Sequence, residues 1–454
     1  MQAFSSRCDC FGLIPVSGPT ARPHRLAFNS QIQQHGQALT SIDLHGLPGF
    51  QLSLHFALVG WSSLDVLPLA DEVLSLRSEG ERLRFLREGD VVWHNVGPRH
   101  HLCLGSAHGF DTPMQAQEFF ATQVKALAED AARVEGKLMP TGMHPWFHAE
   151  RAETWPHGGA ERDLALHTLF GADRHGWANQ QGLDLAIPFA SEAEFKPLYA
   201  ALRFLQPLLP VLSAASPIAE GAIGPARQCR LAARHDFVCS HPEFALTSVQ
   251  RYVPPALESL AAFESLVAAP LKAALVEQGH SATLLPSQVS AGGLWPDRRA
   301  EHIAIRMLDG QECVSANIAV VAAVQALVNQ LSYDSSVPSA ELDVWPAARL
   351  DELTTNAIVE GESAVIRDAD YLRAWGFPEG YRCRSQELLQ FLWEEKLAPR
   401  FDEALAPFLE TIVMEGPLAS RIVQALPPRW DDEALFNVYR NVVACLGEDA
   451  SFRP

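Results

Sequence analysis

The sequence predicts an α+β protein: one mixed domain with a strongly apolar sheet strand near its start, long capped helices packed beside it, and a helical C-terminal extension. Three observations carry that reading. From Phe50 the chain alternates strictly, with Phe50, Leu52, Leu54, Phe56 and Leu58 on one side and Gln51, Ser53, His55 and Ala57 on the other, which is the period of a strand with one buried face. Thr112-Pro113 opens a helical period through Phe120, Val124, Leu127, Ala131 and Val134, closed by Gly136. Ser191-Glu-Ala-Glu194 forms a capping box ahead of Phe195, Leu198, Leu202 and Leu205.

The other elements follow in order. Residues 1–45 hold Gly, Pro, Ser and Gln without a sustained period and read as a tail or edge segment. Strands are expected at 102–104, 183–189 and 303–307, the last followed by a helix over about 315–331. Beyond 370 the pattern is mainly helical. These boundaries give a tail at 1–45, a main domain at 46–365 and a helical extension at 366–454 packed on the same core.

Composition excludes several classes. At 454 residues the chain can bury one large core, and 48% hydrophobic with 20% charged residues is a globular balance. Lys+Arg 35 against Asp+Glu 54 leaves a net charge of −19, which repels phosphate backbones and anionic lipid, so neither nucleic acid nor membrane is an expected partner. Residues 1–16 lack the pattern of a signal peptide, and the apolar run at 318–328 is too short to span a bilayer and carries Gln325. The 8 cysteines are scattered with no CxxC pair, which fits a reducing cytoplasm.

Several strings are specific in order and spacing: Met139-Pro-Thr-Gly-Met-His144-Pro-Trp146, Trp155-Pro-His157, His175-Gly-Trp177-Ala-Asn179-Gln, and Ile187-Pro-Phe189-Ala. They continue with Leu208-Leu-Pro210-Val-Leu-Ser-Ala-Ala-Ser216-Pro217, Ile305-Arg306-Met-Leu-Asp309-Gly-Gln311-Glu-Cys313 and Gly416-Pro-Leu-Ala-Ser-Arg421-Ile. In this register the chain resembles the bacterial family-2 glutamate–cysteine ligases, carboxylate–amine ligases related to glutamine synthetase, from about residue 45 to 452. The resemblance implies a curved antiparallel sheet with helices on its outer face. It also implies ATP and Mg²⁺ on the inner face, where a carboxylate is phosphorylated before an amine attacks. Triphosphate and carboxylate repel, so such a site needs metal held by oxygen ligands, chiefly Asp and Glu.

Those glutamates are missing here. Against a family strand reading GxELEYMIV, Ser53 and His55 stand at the glutamate positions. Against WSNELVxHVVELKT, Trp93, Asn95 and His100 match, while Val96 and Cys103 replace glutamates. Asp184-Leu-Ala186 takes the place of a His-x-Asn, and Ala304 the glutamate of an IEIR strand that keeps Arg306, Asp309 and Gln311. Ala291-Gly-Gly-Leu294 stands in for an Arg-Gly-Ala-Ile run.

The resemblance thus implies a pocket of Ser53, His55, Val96, His100, Cys103, His144, Asp184, Ala304, Arg306, Asp309 and Gln311 without the usual metal ligands, and argues against ATP and Mg²⁺ as ordinary cofactors. A metal stabilises transition-state charge by several kcal/mol, and ~1.4 kcal/mol is tenfold in rate, so ordinary ligation should be abolished. The leading expectation is a non-catalytic partner or regulatory subunit, with an intact ligase homologue as one candidate partner. A second is a divergent ligase drawing oxygens from Asp184, Asp309, Glu301 and Glu312. A third is a sensor whose Arg306 holds a small anionic ligand, against an Arg306 ion pair with Asp309 or Glu312. His55, Cys103 and Asp184 could also gather as a site for a softer metal such as zinc, or have drifted once constraint was lifted. His144 is either a pocket residue or a turn histidine. Trp177, Asn179 and the 213–217 segment read as packing, and the acidic runs Glu394-Glu395 and Asp431-Asp432-Glu433 as solvated surface.

Overall fold

The computed structural model describes residues 49–171, 174–241, 244, 251–333, 342–378 and 382–454. The expected tail at 1–45 lies outside the described residues. Among them an 8-stranded, wholly antiparallel sheet organises the fold. Its strands are β1 (Gln51–Gly60), β2 (Phe85–Glu88), β3 (Val91–His94), β4 (His101–Ser106), β5 (Gly136–Met139), β6 (Gly182–Pro188), β7 (Leu294–Asp297) and β8 (His302–Asp309). The spatial order is β2-β3-β4-β1-β6-β8-β7. One edge of β1 pairs with β4, while the other pairs first with β6 and then with β5.

The even-numbered residues of β1 enter the main core as the alternation requires. Phe50, Leu52, Leu54, Phe56 and Leu58 share one cluster with three helices. These are α1 (Pro113–Arg133), α2 (Glu192–Leu205) and, further along, α5 (Val314–Tyr333). Thr112 caps α1 through the backbone N–H of Gln115, whose side chain returns the bond in a capping box. Gly136 does not close this helix. The turn is made by Val134 and by Glu135 at φ 57, and Gly136 opens β5, where a Cβ would sit 2.8 Å from Leu58 Cδ1. Ser191 caps α2 by accepting from Glu194 N, as its capping-box spacing predicts.

Two short helices follow α2 and frame one end of the sheet: α3 (Leu209–Ser213) and α4 (Cys229–Cys239). Helix α5 is longer than the apolar run in it, and by length and composition could cross a membrane. It is instead a core helix, with 89% of that stretch buried inside the fold.

The C-terminal part divides in two. Buried residues there such as Tyr371, Leu388, Leu409 and Val413 belong to the main core. Beyond them α6 (Leu418–Ala425) and α7 (Asp432–Glu448) form a cluster of their own with Ala215, Ile218 and Phe452. Helix α7 also lays Phe436 and Val443 over Ala57, Val59 and Met139, on the odd-numbered face of β1. That contact corrects the expectation of one buried face, since β1 is buried on both. The cover comes from residues almost four hundred positions away, so local periodicity carries no sign of it.

Candidate functional site

The odd-numbered face of β1 holds the residues that the sequence singled out. Register places Ser53 opposite Gly105 and Asp184, His55 opposite Cys103, and Ala57 opposite His101. Across the neighbouring strands His94 faces Cys103, and Ala304 faces Ala186. Since side chains alternate strictly along strands, Ser53, His55, His94, His101, Cys103 and Asp184 project from one patch.

The patch is polar, buried and crowded. His55 Nε2 lies 3.2 Å from Asp184 Oδ2. The ring of His55 meets that of His101 edge-on at 5.2 Å and that of His94 at 6.4 Å. Ser53 Oγ is 3.5 Å from His94 Nε2. Burial alone would keep His55 neutral, but the neighbouring Cys103 and Asp184 outweigh it and push its pKa up to about 10. His94 and His101 go the other way: burial first, then the charge on His55, hold His94 down to about 3 and His101 well below the usual histidine range. The same cluster thus drives its imidazoles apart, His55 upward and His94 and His101 downward. His94 and His101 were missed in the sequence because the motif comparison selected His100. The two-residue spacing from His101 to Cys103 on an alternating strand was the signal available.

Other candidates are structural. Asp309 accepts from Arg230 Nε at 2.6 Å, Ser216 Oγ at 2.7 Å and Ala215 N at 2.9 Å, joining the end of β8 to α3 and α4. Gln311 donates to the carbonyls of Ser213 and Asp309 and takes no part in the patch. His144 sits in a turn: its Nε2 is 2.7 Å from the Leu64 carbonyl oxygen, Asn179 brackets its backbone, and burial holds its pKa down to about 4. His100 packs its ring on Phe147 at 4.8 Å, outside the alternating face, and burial lowers it to about 3. Val96 lies half-buried in the loop between β3 and β4. Glu312 is fully buried against Arg421 at 2.7 Å and also accepts from Phe452 N, while Glu301 lies at φ 54 in the turn before β8. The suggested ion pair of Arg306 with Asp309 or Glu312 is therefore corrected, because Arg230 and Arg421 hold those carboxylates. Arg306 instead lines a small pocket with Arg230, Arg234, Tyr252, Ser290 and Gly293, and donates to the Ser290 carbonyl oxygen at 3.4 Å.

The sequence profile of glutamate-cysteine ligase family 2 (GCS2) matches residues 70–374. The chain belongs to this family. An uncharacterized protein of Archaeoglobus fulgidus is 25% identical over 384 residues, which is 84% of this chain and 93% of that protein. Among solved structures, glutamate–cysteine ligase of Francisella tularensis, determined in complex with AMP, superposes with a TM-score of 0.57 at 10% identity, covering 88% of this chain and 89% of the ligase. A bifunctional glutathione synthetase of Pasteurella multocida gives 0.53 at 12% identity, with 92% of this chain on 53% of that one. These likenesses place the fold: the glutamine synthetase-like architecture expected from the sequence motifs.

Magnesium does not fit the residues on this face. Along β4, β1, β6 and β8 the outward positions carry two carboxylates, Asp184 and Asp309. Asp309 is saturated by Arg230, Ser216 and Ala215, and Asp184 is set against the imidazole of His55. Mg²⁺ demands near-octahedral oxygen ligation, which a nitrogen- and sulfur-rich patch does not supply.

Proposed function

We propose that this chain has lost ATP-driven amide formation and serves as a non-catalytic partner or regulatory subunit in the cytoplasm. The observation that carries the reading is the donor set of the inner face. Ser53, His55, Cys103 and Ala304 stand at positions where the sequence resemblance expects glutamate, and Asp184 is the one carboxylate there not consumed by the scaffold. Phosphoryl transfer is mostly positioning and charge neutralisation, so removing the metal ligands removes most of the catalysis. The retained scaffold is consistent with selection for shape. Free thiols at Cys103, Cys229, Cys239, Cys313, Cys383 and Cys445 suit the reducing compartment.

The test is thermal stability of the purified chain with ATP, with and without Mg²⁺, followed by ADP release with glutamate and cysteine. The expected result is no magnesium-dependent shift and no ADP. Stabilisation with turnover would establish a divergent ligase instead. The partner half is tested by native size-exclusion of cell extract: co-elution with a glutamate-complete homologue supports it, and migration as a monomer counts against it.

A sensor reading draws on one further observation, the convergence of Arg230, Arg234 and Arg306 on a single pocket, where guanidinium groups suit a carboxylate or phosphate. Stabilisation by such an anion without turnover would favour it.

A further inference from the structure

Replacing glutamates at random would not assemble a set of donors, yet three soft or borderline donors converge on β1 and β4. One ligand atom each from His55, His101 and Cys103 lies within 4.8 Å of the others. Their exposures are 7%, 3% and 1%. Nε2 of His101 is buried without a hydrogen-bond partner, a loss that a polar group tolerates only for a reason. Asp184 sets its carboxylate against the imidazole of His55, the arrangement that fixes the ring of a metal-bound histidine. Small side chains at Ser53, Ala57 and Gly105 surround the three donors in the sheet register.

We propose that His55, His101 and Cys103 bind one divalent transition-metal ion of the zinc class, with Asp184 positioning His55. Two imidazoles and a thiolate form a ligand set typical of zinc, and by hardness they disfavour Mg²⁺. Binding needs His55 as a neutral imidazole and Cys103 as a thiolate, so the protons displaced from both as the nitrogen–metal and sulfur–metal bonds form go to solvent. No electron is transferred. The inference rests on the geometry of the patch and not on the absence of ligase activity.

The experiment uses the full chain, stripped by chelator and checked for retained fold by circular dichroism. Zn²⁺ is titrated in and metal content measured, and Co²⁺ is then substituted as a spectroscopic probe. One metal per chain is expected, with a thiolate-to-cobalt charge-transfer band in the near ultraviolet. Cys103→Ser should abolish the band while preserving the fold. His101→Gln should remove the stoichiometric metal. Asp184→Asn should keep the band but weaken affinity by roughly 10–100-fold. A second group, His148, Glu150 and Glu220, lies on the surface and could capture zinc on its own, so His148→Ala is the control. The proposal is overturned by a chain that takes up no zinc, by a cobalt spectrum unchanged in Cys103→Ser, or by loss of the metal in His148→Ala. A hydrogen-bonded His55–Cys103 pair that needs no metal would give the first of these outcomes.

Discussion

Asp309→Asn separates a scaffold role from a ligand role at a residue that sequence motifs place in the pocket. The carboxylate is fully buried and accepts three bonds, from Arg230 Nε at 2.6 Å, Ser216 Oγ at 2.7 Å and Ala215 N at 2.9 Å. Asparagine keeps the shape but offers one acceptor oxygen, so its amide donor must face another donor. Arg230 then loses its counter-charge in a place almost closed to water. Hydrogen bonds to charged groups each contribute about 1.5–3 kcal/mol, and stranding one partner of a buried pair costs about 3–5 kcal/mol. Because the bonds are coupled the terms do not add, and the expected loss is about 3–5 kcal/mol. Urea unfolding followed by tryptophan fluorescence measures it, with Ser216→Ala, which removes one bond to the carboxylate, expected at about 1.5–3 kcal/mol as the internal scale. The double change Asp309→Leu with Arg230→Met should recover part of the loss, since it leaves no unpaired charge. An Asp309→Asn protein within about 1 kcal/mol of the parent would refute the assignment and return Asp309 to the list of free oxygen donors.

Three further outcomes follow from the same reasoning. Glu312→Gln should destabilise by about 3–5 kcal/mol and expose the C-terminal segment to limited proteolysis, because Glu312 holds both Arg421 and the backbone of Phe452. Gly142→Ala should cost about 1–3 kcal/mol in urea unfolding, since its Cβ would fall 2.4 Å from Asp309 Cγ. His144 has a folded pKa lowered to about 4 from 6.5, so the unfolded chain binds the extra proton first. Its contribution is complete above pH 6.5 and is lost as pH falls toward 4, on the order of 3 kcal/mol at 1.36 kcal/mol per unit. Stability measured against pH should show an acid limb, and His144→Gln should shrink it by that amount, the remainder belonging to His94, His100 and His101, which are also held low.

Legibility in the sequence followed locality. Strand β1 and helices α1 and α2 were readable because alternation, caps and capping boxes are written within a few residues of each element. The four-residue strands β2, β3, β5 and β7 were not, since each is too short to establish a period and draws its definition from its neighbours. His55, Cys103 and Asp184 could be placed on one face from strand parity together with the family motifs. The structural duty of Asp309 depends on Arg230, which lies 79 positions away, and no motif announces that pairing. Likewise the pocket under Arg306 is built by Tyr252, Ser290 and Gly293 from an irregular stretch with no period to read.

A family member that simply lost its function should keep what holds it together and randomise the rest. The scaffold half of that expectation holds: Asp309 with Arg230, Glu312 with Arg421 and Asn179 with His144 are buried and joined by hydrogen bonds. The inner face does not look random. Drift from glutamate on a buried strand favours small and apolar residues, as at Ala304, because an unpaired polar group there costs 1–3 kcal/mol. His55, His101 and Cys103 instead bring three polar or reactive side chains into contact beneath less than a tenth exposure, and His101 Nε2 is left without a hydrogen bond. A face that presents nitrogen and sulfur donors where the family resemblance expects oxygen, on a scaffold otherwise intact, fits the proposed metal better than drift. On the two proposals, loss of Mg²⁺–ATP chemistry and gain of a softer ion would be consequences of the same substitutions, and the metal titration and the ADP assay read them independently.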